Sequence, residues 1–92
     1  MSKYLIEVHH SDEHDGCVRA LNAIMDFGSH LATHADFGCE DEVHIGWLIV
    51  DVESRDAAHQ MVPPQYRADT RIIQLRRWNR EEIEKMLAEL DA

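Results

Sequence analysis

The hydrophobic period of the chain changes from two residues to about 3.6 within the first 28 residues, and this change constrains the fold most. Tyr4–His9 alternates with a period of two, which indicates a half-buried β-strand. From Cys17 onward, apolar residues recur at the i, i+3, i+4, i+7 spacing of an amphipathic helix. We expect Ser11–Asp12 to cap the N-terminus of this helix and Gly28 to cap its C-terminus.

A pair of strands is predicted in the middle of the chain. Ser29–Phe37 alternates again, Val43–Val52 is rich in β-branched and aromatic residues, and Gly38–Glu42 has the length of a hairpin loop between them. Ser29–Phe37 also admits a helical turn, because His30 and His34 are four residues apart. We favour the strand, since Val43–Val52 needs an antiparallel partner.

The C-terminal third begins with signals for a short helix and a last strand. Ser54 is placed to cap a helix that runs to Met61 and ends before Pro63–Pro64. Thr70–Arg77 then has the pattern of a strand.

The final helix has the clearest start signal of the chain. Asn79 and Glu82 form an N-x-x-E capping box, and an apolar stripe follows. The stripe consists of Ile83, Met86, Leu87 and Leu90. The element order is therefore β-α-β-β-α-β plus a helix. A hairpin between two helical crossovers predicts a single α+β, ferredoxin-like domain over residues 1–92, with a four-stranded antiparallel sheet and an added C-terminal helix.

The charge balance excludes two classes of partner. Eighteen acidic residues against nine basic ones give a net charge of −9, which argues against binding to nucleic acid or to an anionic membrane surface. The longest apolar runs, such as Trp47–Val50, are too short to span a bilayer. Two cysteines, Cys17 and Cys39, do not make a disulfide framework, so we expect a cytoplasmic protein.

The predicted hairpin divides the sheet into two faces. A five-residue loop places Phe37 opposite Val43. The bulkier face, expected under the helices, carries Leu31, Thr33, Ala35, Phe37, Val43, Ile45, Trp47 and Ile49. The other face carries His30, Ala32, His34, Asp36, His44, Gly46, Leu48 and Val50. Because Leu48 and Val50 should not face water alone, we expect a homodimer that packs sheet to sheet.

Four residues with metal-binding side chains lie within eleven positions of this hairpin. They are His34, Asp36, Cys39 and His44. Imidazole, thiolate and carboxylate together suit a transition metal such as zinc, nickel, copper or iron. We therefore expect a small soluble protein that binds a transition metal, as a carrier, a sensor or a metalloenzyme. His30 and His9 are further candidates on the same face.

Two other residues of the same chemistry are set aside. Cys17 falls in the apolar stripe of the first helix and is assigned to the core. His10 follows His9 directly, and adjacent strand residues point to opposite faces, so the two cannot chelate one ion together.

The same face also supports functions without a metal. Glu7, His9, His34, Asp36 and His44 offer an acid–base set for a cofactor-free isomerase or monooxygenase, or for a small-molecule binder. Alternatively, the seven histidines tune the stability of a dimer with pH, since their protonation adds seven charges to a net charge of −9. Metal binding ranks first, because histidine, aspartate and cysteine cluster together.

Three segments give the chain a family resemblance. Gly28–His30, Thr33–Cys39 and Val62–Pro64 followed by Arg67 resemble stretches of small uncharacterised bacterial and archaeal proteins. Over Tyr4–Arg77 the topology resembles the dimeric α/β-barrel group of ferredoxin-like proteins. That group includes muconolactone isomerase-like, antibiotic-biosynthesis monooxygenase-like and nickel-binding families. The resemblance implies a homodimer and a pocket between sheet and helices or between paired sheets, but no single chemistry.

Overall fold

Strand β1 (Ser2–His9) is one of the two central strands of the sheet, and it pairs over its whole length with the other. The structure is a computed structural model that describes residues 1–92. The other strands are β2 (Asp36–Phe37), β3 (Ile45–Val52) and β4 (Thr70–Leu75), and the helices are α1 (His14–Phe27), α2 (His30–His34), α3 (Arg55–His59) and α4 (Arg80–Leu90). All pairings are antiparallel, in the order β2-β3-β1-β4. The predicted α+β, ferredoxin-like arrangement is confirmed.

Helix ends follow local hydrogen bonding, and three of the four predicted caps are confirmed. Gly28 ends α1 in the left-handed conformation, with φ 71°. Ser54 Oγ accepts a hydrogen bond from the backbone N–H of Ala57, and Asn79 Oδ1 accepts one from that of Glu82. The predicted cap at Ser11–Asp12 is wrong: α1 begins after Glu13.

The predicted strand over Ser29–Phe37 is wrong for most of its length. Ser29 caps α2 instead, since its hydroxyl accepts a hydrogen bond from Leu31 N–H and donates one to the Met61 carbonyl. Leu31 is fully buried in the core, which favours the helical turn over an alternating strand. Only Asp36–Phe37 reaches the sheet, and that short strand is the antiparallel partner that β3 required.

The predicted register of the hairpin is also wrong. Phe37 pairs with Gly46, not with Val43. A Cβ atom at Gly46 would lie 2.5 Å from the Phe37 ring, so any larger residue there would require the ring to move. The backbone of Gly38 bonds to Ile45, which leaves residues 39–44 as a longer connection than predicted, with a 3₁₀ turn at Cys39–Asp41.

The two sides of β3 are reversed relative to the prediction, whereas Leu31 and Phe37 lie on the helix side as predicted. The core under the helices contains Tyr4, Ile6, Val8, Ile24, Leu31, Leu48, Val50, Ala58 and Val62. Leu48 and Val50 therefore lie inside, whereas Ile49 is 57% exposed on the opposite, open face. The prediction chose the buried side of β3 by the bulk of its side chains. That choice was wrong, because the pairs Tyr4–Val50 and Ile6–Leu48 put Val50 and Leu48 on the core side of the sheet.

Helix α4 extends away from the sheet. It has no buried residue, and its apolar stripe, defined by Ile83, Met86, Leu87 and Leu90, is exposed. The chain measures 56 Å along its longest axis, and its radius of gyration of 16.7 Å exceeds the roughly 12 Å of a compact domain of this length. None of the helices has the length and apolarity needed to cross a membrane.

Homodimerisation stays a prediction, and the surface expected to mediate it is now the open face with Ile49 at its middle. A charge there should disfavour burial against a second copy, so Ile49→Glu should weaken self-association by tenfold or more, on the order of 1.5–3 kcal/mol. Sedimentation velocity over a concentration series measures this. The control is Val18→Glu, at a residue that is 50% exposed on α1. A wild-type chain that is monomeric at every concentration contradicts the prediction.

A buried carboxylate ties three strands together on the open face. Glu7 accepts hydrogen bonds from Trp47 Nε1 at 3.2 Å and from Arg71 Nε at 3.0 Å, the residues directly opposite it on β3 and β4. His9 Nε2 lies 3.2 Å from the same carboxylate. The hydrogen bonds from His9, Trp47 and Arg71 outweigh the opposing effect of burial and lower the pKa of Glu7 below its usual value.

Glu7→Gln should therefore lower the free energy of unfolding by roughly 1–3 kcal/mol at neutral pH. Because the pKa of Glu7 is lower in the folded state, its charged form stabilises the fold above the unfolded-state pKa. That contribution disappears as the pH falls through the lower, folded-state pKa. Urea unfolding of both proteins at neutral and acidic pH should show the difference shrinking in acid. Asp51→Asn, at an exposed position of β3, is the control.

Candidate metal centre

Two histidines meet at one end of the sheet because of the pairing of β1 with β3. His9 pairs with Ile45, so His10, just beyond β1, lies beside His44, just before β3. The backbone N–H of His10 donates a hydrogen bond to the His44 carbonyl at 3.1 Å. The two imidazole rings are perpendicular, with centroids 5.4 Å apart.

Two cysteines reach the same place from other elements. Cys17 lies in the first turn of α1 and is only 7% exposed, whereas Cys39 begins the 3₁₀ turn after β2 and is half-buried. Each directly follows a glycine that has another residue close to its Cα atom. A Cβ atom at Gly16 would lie 2.5 Å from Ser11 Oγ, and one at Gly38 would lie 2.8 Å from a backbone oxygen.

The four side chains converge on one point. His10 Nε2 lies 3.2 Å from Cys39 Sγ and 3.4 Å from Cys17 Sγ, and the two sulfurs are 3.6 Å apart. With one ring nitrogen of His44, all four donor atoms lie within 4.8 Å of one another. A tetrahedral zinc ion holds sulfur and nitrogen ligands about 3.3–3.8 Å apart. The sulfur–sulfur distance and the distance from His10 to Cys17 fall within this range, and the distance from His10 to Cys39 is about 0.1 Å shorter.

Burial shifts the pKa of two side chains of the cluster, His10 and Cys39. It lowers the pKa of His10, and the charge of His44 lowers it further, so the imidazole is neutral and able to coordinate. Burial raises the pKa of the Cys39 thiol, and the hydrogen bond to Cys17 raises it further. An ion that binds here must therefore displace thiol protons, as zinc does at thiolate sites.

A hydrogen-bonded cluster without an ion accounts for the close contacts but leaves a polar atom of His44 unpaired. The Nδ1 atom of His44 is buried without a hydrogen-bond partner. An unpaired buried polar atom costs free energy. An ion coordinated through this Nδ1 would give it a partner, so the residues present fit a metal better than they fit a purely hydrogen-bonded core.

The structure divides the four residues that the sequence had put forward as ligands. Cys39 and His44 belong to the cluster. His34, at the end of α2, and Asp36, in β2, instead line a separate groove of about 390 Å³ on the open face. His34 Nδ1 lies 2.7 Å from Thr33 Oγ1, and its ring stacks on His30 at 4.0 Å. The helical turn of α2 and the changed register together account for this separation.

Sequence reasoning passed over His10 and Cys17, although each carried a signal. His10 follows Val8 by two residues, so the alternation of the strand puts its side chain on the same side as Ile6 and Val8. That side is buried and faces the helices. Cys17 lies in the apolar stripe of α1, which faces the same side of the sheet. Assigning Cys17 to the core was right about its burial and left out its chemistry.

No protein-family model, no curated protein and no solved structure matches the chain. The chemistry of this site therefore rests on its geometry and on its donor atoms.

The close approach at Gly38 gives a test of how the chain builds the site. Gly38→Ala places a methyl group against the Val43 carbonyl, so the turn that carries Cys39 must shift. We expect a loss of about 1–3 kcal/mol of stability and a weaker affinity for metal. Urea unfolding and metal titration measure both. Asp41→Ala, an exposed position in the same turn, should leave both unchanged, and an unaltered Gly38→Ala protein would contradict the assignment.

Proposed function

We propose that the chain binds one transition-metal ion through His10, Cys17, Cys39 and His44, and that the ion is zinc(II). The convergence of two sulfur and two nitrogen donors within 4.8 Å carries this proposal. No other group of three or more histidine, cysteine or acidic side chains in residues 1–92 has comparable geometry.

The donor set favours zinc over the other metals. Two thiolates and two imidazoles make a tetrahedral site, which suits zinc because its filled d-shell imposes no other geometry. Copper(II) and nickel(II) instead prefer a square-planar or tetragonal arrangement of ligands. Two thiolates also neutralise the charge of a divalent ion. A neutral complex suits a site whose residues are buried or half-buried.

The number of protein ligands favours a structural, carrier or sensor role over catalysis. Catalytic zinc sites keep one position for water or substrate, and structural sites fill all four with protein. Here four side chains are available from four separate places: the end of β1, the start of α1, the turn after β2 and the approach to β3. An ion bound to all four cross-links α1 to the sheet.

The groove on the open face supports a second candidate function, the binding of a small molecule without a metal. His34 and Asp36 offer imidazole and carboxylate groups there, beside the apolar side chains of Leu5 and Ile49. This proposal does not compete for residues with the metal centre, so replacing His34 and Asp36 separates the two.

Metal content is the first test. Untagged protein, purified without chelators and without a nickel column, should contain about one equivalent of zinc by elemental analysis. Cys17→Ser, Cys39→Ser and His10→Ala should each lose the ion, and cobalt(II) bound to the wild type should show the intense absorption of a tetrahedral thiolate site. His34→Ala and Asp36→Asn are matched controls that should keep it. Full metal content in Cys39→Ser, or none in zinc-grown wild type, refutes the proposal.

A stability measurement then connects the ion to the fold. An ion that binds only the folded chain stabilises it by about 2.7 kcal/mol at a free concentration one hundred times its dissociation constant. The wild-type protein should therefore melt at a higher temperature with zinc than with a chelator. The Cys39→Ser protein should melt at the same temperature in both.

A further inference from the structure

We propose that Cys17 and Cys39 are also a redox switch, in which oxidation by a hydroperoxide joins them in a disulfide and releases the metal. This inference rests on the proposed zinc site and adds its regulation. The two sulfurs are free and 3.6 Å apart, and the chain has no other cysteine that competes for either. A disulfide bond of about 2.05 Å requires the sulfurs to approach by roughly 1.5 Å.

The surroundings of the two sulfurs make such an approach feasible. Cys39 is carried by a three-residue 3₁₀ turn, a short element outside the sheet. Cys17 is fixed in the 14-residue helix α1. The turn can therefore move toward the helix while the strands keep their register.

The difference in exposure assigns the order of events. Cys39 is half-buried and reachable, whereas Cys17 is only 7% exposed. The Cys39 thiolate attacks one oxygen of the hydroperoxide and becomes a sulfenic acid, while the other oxygen leaves as hydroxide and takes a proton to form water. The Cys17 sulfur then attacks the Cys39 sulfur, the S–S bond forms, and the sulfenic oxygen leaves as a second hydroxide, which also becomes water.

The overall reaction explains why the metal leaves. One zinc bis-thiolate, one hydrogen peroxide and two protons give one disulfide, one free zinc ion and two waters. The two sulfurs lose two electrons in total, and the peroxide gains them. A disulfide carries no negative charge and is a poor zinc ligand, so only His10 and His44 remain, which are too few for a tetrahedral site.

The test uses the full reduced chain, loaded with zinc, and treats it with hydrogen peroxide. Alkylation and intact-mass measurement count the thiols, and a chromogenic chelator measures the zinc released. We expect about one disulfide and about one zinc ion released per chain, in parallel, and both reversed when dithiothreitol and zinc are added. Zinc release with sulfinic acid on Cys39, or thiols that survive while the ion stays, would overturn the switch and leave the zinc site standing.

The same treatment of chelator-stripped protein separates this inference from the proposed function. There the disulfide should form without any metal, because the sulfurs are neighbours in the fold, but more slowly, because the Cys39 thiol must first lose its proton. If the wild type binds no zinc and still forms the disulfide, the zinc site fails and the cysteine pair stands as a redox pair alone. His34→Ala is the control and should oxidise like the wild type, while Cys17→Ser should accumulate a sulfenic acid that dimedone traps on Cys39.

Discussion

The pairing of β1 with β3 is the constraint on which the rest of the structure depends. Eight cross-strand pairs, from Ser2–Val52 to His9–Ile45, decide which side chains face the helices. The same register brings His10 beside His44, so the core and the candidate metal centre have one cause. A shift by one residue would expose Ile6 and Val8 and would also separate the two histidines.

Elements with strong local signals could be predicted from the sequence, and elements decided by distant contacts could not. Gly28, Ser54 and Asn79 act through hydrogen bonds within a few residues, so their caps were correct. The sequence of Ser29–Phe37 fits both the two-residue period of a strand and the spacing of a helical turn. Its structure depends on the burial of Leu31 and on the hydrogen bond from Ser29 to Met61, and neither is visible in the segment itself.

The candidate metal centre shows the same division between local and distant information. Cys39 and His44 are five residues apart and were found because they share one hairpin. Cys17 is 22 residues from Cys39, and its proximity comes from the packing of α1 on the sheet. Residue types therefore indicated a group that could hold a metal ion, but which residues form that group depends on the tertiary fold. Reversing the faces of β3 hid that His10, His44 and Cys17 lie on one side.

The small size of the core bears on why a buried cluster of this kind would hold an ion. Only 14 of the 92 residues are buried, and α4 contributes none of them. Small domains with few buried side chains commonly rely on a metal or a disulfide for part of their stability. Zinc would join the ends of β1 and β3 to α1 and to the turn after β2, and the disulfide would keep only the link between α1 and that turn. The two states would thus differ in how firmly the sheet end is held, which gives oxidation a structural consequence as well as a chemical one.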